Sequence, residues 1–213
     1  MRIYAYIDGF NFYHGLTKET AFRWCNLLKL CQHYFPKGDI LRVKLFAAHS
    51  KEFPDKPGAS QRQNTYIQAL KTLPNFDFIP GKYIKCIKKL PLNNSPKQNP
   101  EFVEVRTYKE KGSDVNLATQ LITDGIDDLY DMAAIFTNDS DLIEPIRIVR
   151  YKLNKKIYLL LTCNFDRNEP CKGLQKVSNY HKLVSDEALK LSQFENIIIR
   201  PGKSAIIKPI NWQ

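Results

Sequence analysis

The chain has 213 residues, 43% of them apolar, enough to bury one sizeable core with at most a small appendage. Its 32 Lys and Arg against 22 Asp and Glu give a formal charge of +10, a balance that draws polyanions, of which nucleic acid is the commonest. Five cysteines without a C-x-x-C pair argue against a disulfide framework or a zinc knuckle. With no leader-like start and no run of about 18 apolar residues, the expectation is a cytoplasmic protein without a membrane span.

Residues 3–7 (IYAYI) form a short apolar run stopped by Asp8-Gly9, the profile of a strand buried on both faces of a parallel sheet. Further runs of this kind lie at 41–48, 76–87, 133–137 and 157–161. Helical periodicity fills the gaps. Trp24, Leu27, Leu28, Cys31 and Phe35 share one face over 16–35, and 60–73, 114–130, 142–152 and 184–193 are further helices, with Val115, Ala118 and Ile122 as the expected buried stripe of the third. Alternating strands and helices predict an α/β three-layer, Rossmann-like sandwich around a mostly parallel central sheet of about five strands. Residues 82–110 carry a basic, hairpin-like insertion whose tip, KKLPLNNSPKQNP, has three prolines and no apolar period. The main domain covers 1–190. The tail, 191–213, has two β-branched runs parted by Pro-Gly and predicts an edge strand or an arm packed on the body or on another subunit.

Two segments far apart in sequence, YIDGFNFYHG at 6–15 and FTNDSDL at 136–142, each end an apolar run with aspartate. In an open parallel sheet such ends lie side by side where ligands bind. Asp8, Asp139 and Asp141 then meet in one cleft, joined by Asp114 from KGSDVNLA. Each has a plain structural role open to it. Asp141 with Glu144 resembles a capping box, Ser113 can cap the helix that Asp114 enters, and Asp8 can make an Asx turn. Pro145 keeps the helix from starting much before Asp141, so Asp139 precedes it. Two carboxylates about 4 Å apart repel by roughly 4 kcal/mol at an effective dielectric near 20, so the cluster calls for a cation. An all-oxygen set without His or Cys favours Mg²⁺ or Mn²⁺ over zinc, and such an ion can activate water against a phosphodiester without a histidine base.

YIDGFNFYHG, KGSDVNLA and TNDSDL, in this order and spacing, resemble the NYN domain, a branch of the PIN-like nuclease superfamily, over about residues 1–190. The resemblance implies a PIN-like fold and a ribonuclease that requires Mg²⁺ or Mn²⁺. It implies that Asp8, Asp114, Asp139 and Asp141 hold metal and carry catalysis, and that Asn11 and the Thr137-Asn138-Ser140 turn position water or phosphate. Two departures stand out. Gln120 occupies the place of a further acid one to two turns after Asp114, with Asp124 beyond it, which bears on a second metal; Asn154 replaces a glycine before the following strand.

The expected partner is nucleic acid, single-stranded or structured RNA, with a homo-oligomer left open. Lys111, three residues before Asp114, is the basic residue placed nearest the scissile phosphate. Arg147, Arg150, Lys152, Lys155 and Lys156, and Lys82, Lys85, Lys88, Lys89 and Lys97 on the insertion, could track a backbone while Tyr83 or Tyr108 stacks a base. A basic helix end that is merely solvated explains the first group equally well. Two other readings compete: a catalytically weak or inactive nucleic-acid-binding regulatory module, which Gln120 favours, and an aspartyl-phosphate phosphatase or phosphotransferase. The latter generally needs an acid two residues after Asp8, where Phe10 stands.

Overall fold

The computed structural model describes residues 1–52, 57–96, 98–163 and 169–212. Seven strands build one sheet: β1 (Arg2–Asp8), β2 (Asp39–Ala48), β3 (Phe76–Pro91), β4 (Phe102–Lys111), β5 (Met132–Thr137), β6 (Lys156–Leu161) and β7 (Tyr180–Leu183). Their order is β4-β3-β2-β1-β5-β6-β7, with every neighbouring pair parallel except β3 and β4. All six residues of β5 are buried, as expected of a central strand covered on both faces. Along β1 the pleat sends Ile3, Ala5 and Ile7 into one apolar cluster and Tyr4 and Tyr6 into the other.

The first cluster lies under α2 (Leu27–Tyr34), α3 (Ala59–Leu70) and α7 (Asp186–Leu191), while the second lies under α4 (Ser113–Ile126), α5 (Ile143–Arg147) and α6 (Lys172–Val177). The chain is an α/β, Rossmann-like three-layer sandwich. No helix among the described residues is long and apolar enough to cross a membrane. The sheet is wider than the five strands read from sequence. β4 is mostly exposed and β7 has only four polar-rich residues, so neither carries the apolar run that marks a buried strand.

The helix expected over 16–35 is interrupted. A short α1 (Gly9–Phe12) starts directly on the Asp8 cap and runs into a wide turn (Tyr13–Thr17); Thr20 then caps a 3-10 turn (Ala21–Trp24) and Asn26 caps α2. Thr20 and Asn26 each bond the backbone N–H two or three residues ahead, which restarts the helix instead of continuing it. In the wide turn, a Cβ on Gly15 would stand 2.0 Å from the carbonyl oxygen of Thr162, just past the end of β6. Backbone cannot yield as a side chain can. Gly15→Ala is therefore expected to cost about 3 kcal/mol in a urea titration followed by circular dichroism, an overpacking penalty.

Gly112, at φ +93°, is the residue before α4, and it rather than Ser113 occupies the cap position. The buried stripe of α4 is Leu117, Leu121 and Asp124, with Ala118 and Ile122 only partly covered; Val115 is 67% exposed. The following helical stretch opens on Asp139, whose side chain accepts from the Asp141 N–H, so the Asp141–Glu144 capping box does not form and Glu144 pairs with Arg147 instead. Asn154 sits at φ +54°, a left-handed backbone that glycine favours and Asn tolerates. The tail forms a separate antiparallel hairpin, β8 (Ile197–Arg200) with β9 (Lys203–Ile207), and its end lays Trp212 against Trp24 and Tyr66 on the body.

Candidate metal centre at the carboxyl edge of the sheet

Strand order turns back at β1: β2 and β3 lie on one side of it, β5, β6 and β7 on the other. The loops leaving β1 and β5 part there and open a crevice, the usual ligand position of an open α/β sheet. Asp8 ends β1 and Asp139 follows the end of β5 by two residues. The buried Asp8 carboxylate is held on both oxygens. Oδ1 accepts from the Asn11 N–H at 3.0 Å, and Oδ2 accepts from Asn11 Nδ2 at 2.7 Å and from the Thr137 hydroxyl at 2.9 Å. The Thr137 oxygen accepts in turn from the Asp139 N–H at 3.0 Å, so one fully buried threonine ties the two acids together.

Asp114 arrives on the first turn of α4. Carboxylate oxygens of Asp8, Asp114 and Asp139 all lie within 4.8 Å of one another. Among the described residues, no ion pair involves Asp8, Asp114, Asp139 or Asp141. Three of about four acceptor positions on Asp8 are already used, leaving one for a cation, whereas Asp139 spends one oxygen on the Asp141 N–H. Three hard oxygen donors in this spacing suit Mg²⁺ or Mn²⁺.

Burial, more than the neighbouring acids, pushes the Asp8 carboxyl up to about 6; the Asp114 charge adds to it, and the hydrogen bonds from Asn11 and Thr137 oppose it. Asp114 is raised as well, first by desolvation and then by the charges of Asp139, Glu110 and Asp141. A carboxyl whose folded pKa exceeds its unfolded 3.8 binds its proton more tightly in the native state, so stability falls as pH rises from 3.8 to about 6 and the cost is complete above that. For Asp8 this amounts to about 3 kcal/mol. A metal ion held here would need the ionised form, so any affinity for Mn²⁺ is expected to drop about tenfold per pH unit below 6, which calorimetry at pH 7 and pH 5 checks.

The remaining residues predicted from sequence divide. Asp141 is exposed and outside the triad, though close enough to raise Asp114. Asn11 and Thr137 act on Asp8 itself. Asn138 is consumed by structure: its Nδ2 donates to the Glu169 carbonyl and its Oδ1 accepts from the Cys171 N–H. Ser140 and Lys111 are exposed. The run Arg147–Lys156 leads to the start of β6, the opposite edge of the sheet, where Lys156 pairs with Met132. Arg147 bonds Glu144, Arg150 donates to the Lys176 and Ser178 carbonyls, and Lys155 pairs with Asp128, so three of the five cations have partners within the chain. Lys82, Lys85, Lys88 and Lys89 lie on β3, while Lys97 falls outside the described residues.

Gln120 and Asp124 lie outside the acid triad and bond Lys44. Lys44 Nζ donates to Asp124 Oδ2 at 2.6 Å and to Gln120 Oε1 at 2.9 Å, and the Tyr6 hydroxyl donates to the same Asp124 oxygen at 2.6 Å. This network is buried beside the rings of Tyr4 and Tyr6. Sequence reasoning missed Glu110. Its Oε1 accepts from the Ala48 N–H at 2.9 Å and the Ser113 hydroxyl at 2.5 Å, and the Tyr83 hydroxyl reaches Oε2 at 3.4 Å. Its position on β4, directly opposite Tyr83, is the only signal, and it needs the hairpin register.

Glu110 and Gly9 also border a cavity of about 270 Å³ between the sheet and α3, walled by aromatic rings that include Phe10, Tyr66, Phe78, Tyr83 and Trp212. The cavity thus adjoins the acid triad through residues on both β1's exit and β4.

No family model matches the chain. Over its whole length it is 29% identical to 6-hydroxy-3-succinoylpyridine 3-monooxygenase HspA of Pseudomonas putida, 75% of which is covered. In fold it is similar to a crystal structure of a protein of unknown function from Vibrio parahaemolyticus, at a TM-score of 0.53 and 15% identity, over 87% of this chain and 94% of that one. The first of these relatives is an enzyme, and the second shares the α/β architecture.

Proposed function

We propose that this chain is a divalent-metal-dependent ribonuclease, its ion held by Asp8, Asp114 and Asp139. The observation that carries the reading is the convergence of three carboxylates, none in an ion pair among the described residues, from β1, α4 and the β5 exit within 4.8 Å at the strand-order switch. Bound there, Mg²⁺ or Mn²⁺ supplies an activated water and offsets charge on a phosphodiester. Asn11 and Thr137 fix the Asp8 carboxylate, and Thr137 transmits that alignment to Asp139. Asp141 and Glu110 add negative charge around Asp114 and so strengthen the pull on a cation. With Gln120 and Asp124 engaged by Lys44, a single ion is the arrangement these residues favour.

A second reading rests on the likeness to HspA together with the aromatic cavity: an enzyme acting on a small heteroaromatic ring. Labelled single-stranded RNA incubated with Mn²⁺, with Mg²⁺ and with chelator separates the two. Cleavage that depends on the ion supports the nuclease, whereas intact RNA in every tube overturns it, and retention of RNA without cutting marks a binding module.

A further inference from the structure

We infer that the cavity between the sheet and α3 is a binding site for a planar aromatic ring that carries an anionic group. The size argument comes first. A cavity of about 150 Å³ lined by apolar side chains takes up benzene, so the space of about 270 Å³ here admits a larger ring with a substituent, up to the scale of a purine. The walls match such a guest. Phe10, Phe12, Phe78 and Tyr83 come from the sheet and the β1 exit, Tyr66 from α3 and Trp212 from the tail, a set that offers ring faces and edges from several directions. Trp212 and Tyr66 meet edge to face with centroids 6.0 Å apart, which leaves a stiff wall rather than a collapsible one.

Charge supplies the second half. Arg23 and Arg62 both line the cavity, and among the described residues neither has a carboxylate within ion-pair distance. Arg23 donates to the Thr20 and Asn211 carbonyls, each at 3.1 Å, and lies over the Trp212 ring; Arg62 donates to the Pro57 carbonyl at 2.9 Å. Carbonyl partners orient a guanidinium without neutralising it, so among the described residues both charges are left for a carboxylate or phosphate. The lining carboxylate, Glu110, is held by the Ala48 N–H and the Ser113 hydroxyl.

The ring can come from two sources, the base of a nucleotide or a small aromatic acid, and the assignment stands apart from the nuclease reading. Titrating the full chain with adenosine monophosphate, with pyridine-3-carboxylate and with succinate, by calorimetry and by tryptophan emission, tests it. At least one anionic ring is expected to saturate with a Kd below about 1 mM, while succinate does not bind. Arg62→Met is expected to weaken that binding about tenfold. Phe10→Ala, on a rim residue already 52% exposed, is a second variant whose fold is not at stake and is expected to weaken it as well. Asp8→Asn should abolish Mn²⁺ uptake yet leave the ring bound, so failure of the metal centre and failure of this pocket are seen separately. Tighter binding of the nucleotide names a base as guest; tighter binding of pyridine-3-carboxylate names a small acid. Absence of saturation by either ring, or affinities untouched in both Arg62→Met and Phe10→Ala, overturns the proposal.

Discussion

Asp8→Asn is expected to lower Mn²⁺-dependent RNA cleavage about a thousandfold while making the metal-free protein more resistant to heat at pH 7.5. Both effects have one origin. Ionising the buried Asp8 costs about 3 kcal/mol because its folded pKa lies near 6, a cost that the proposed metal ion would offset. Asparagine keeps an acceptor for the Asn11 N–H but turns an amide towards Asn11 Nδ2 and loses that bond, while the Thr137 hydroxyl turns to accept from the new amide, so the loss offsets about 1 kcal/mol. A net gain of about 2 kcal/mol corresponds to roughly 4–8 °C in a chain of this size. The gain should be smaller at pH 5, inside the window between 3.8 and about 6 over which the cost of ionisation builds up. Scanning calorimetry at the two pH values reads the difference, and an Asp8→Asn protein that still cuts RNA, or melts lower at pH 7.5, sinks the account. Asp139→Asn should lose cleavage with a smaller thermal change, since Asp139 is only partly buried.

Lys44→Met is expected to be the most destabilising single change in the chain outside the apolar core, by about 4 kcal/mol. It leaves Asp124 buried with only the Tyr6 hydroxyl as donor, and Gln120 without its partner. Removing both charges is a different matter. In the double variant Lys44→Met/Asp124→Leu most of the loss should return, because the uncompensated ion is gone. Urea unfolding of the four proteins of this cycle measures the coupling, and strictly additive losses would show the pair to be of no structural consequence. RNA cleavage in any variant that folds should persist, since none of these groups belongs to the acid triad.

The central strands were legible because a parallel strand covered on both faces is apolar along most of its length, and residues 3–7, 133–136 and 157–161 are. The edge was not: β4 is a solvated ribbon strand whose charges and β-branched residues alternate on two wet faces, so hydrophobic period has nothing to report there. On α4 two stripes fit a helical period equally, Val115-Ala118-Ile122 and Leu117-Leu121-Asp124. The second is the one that also turns Asp114 towards the sheet, three residues before Leu117 on the same face, and the chosen stripe therefore carries an acid into the crevice and a second acid into the core. Asp8, Asp114 and Asp139 were found because each ends or begins an element at the same sheet edge. Glu110, the Thr137 bridge and the aromatic cavity depend on strand register and on a tail more than a hundred residues from α3, relations that no local window contains.

Thr137 and Asp8 join across 129 residues of chain, and their strands run side by side at the middle of the sheet. Contacts so distant in sequence form late, after slower loop closure than any local helix demands. Until β5 docks, a growing or partly folded chain holds Asp8 as an ordinary solvated aspartate with an unremarkable proton affinity. The buried carboxylate with its raised proton affinity is thereby withheld from immature forms, and its appearance marks the closing of the innermost ladder.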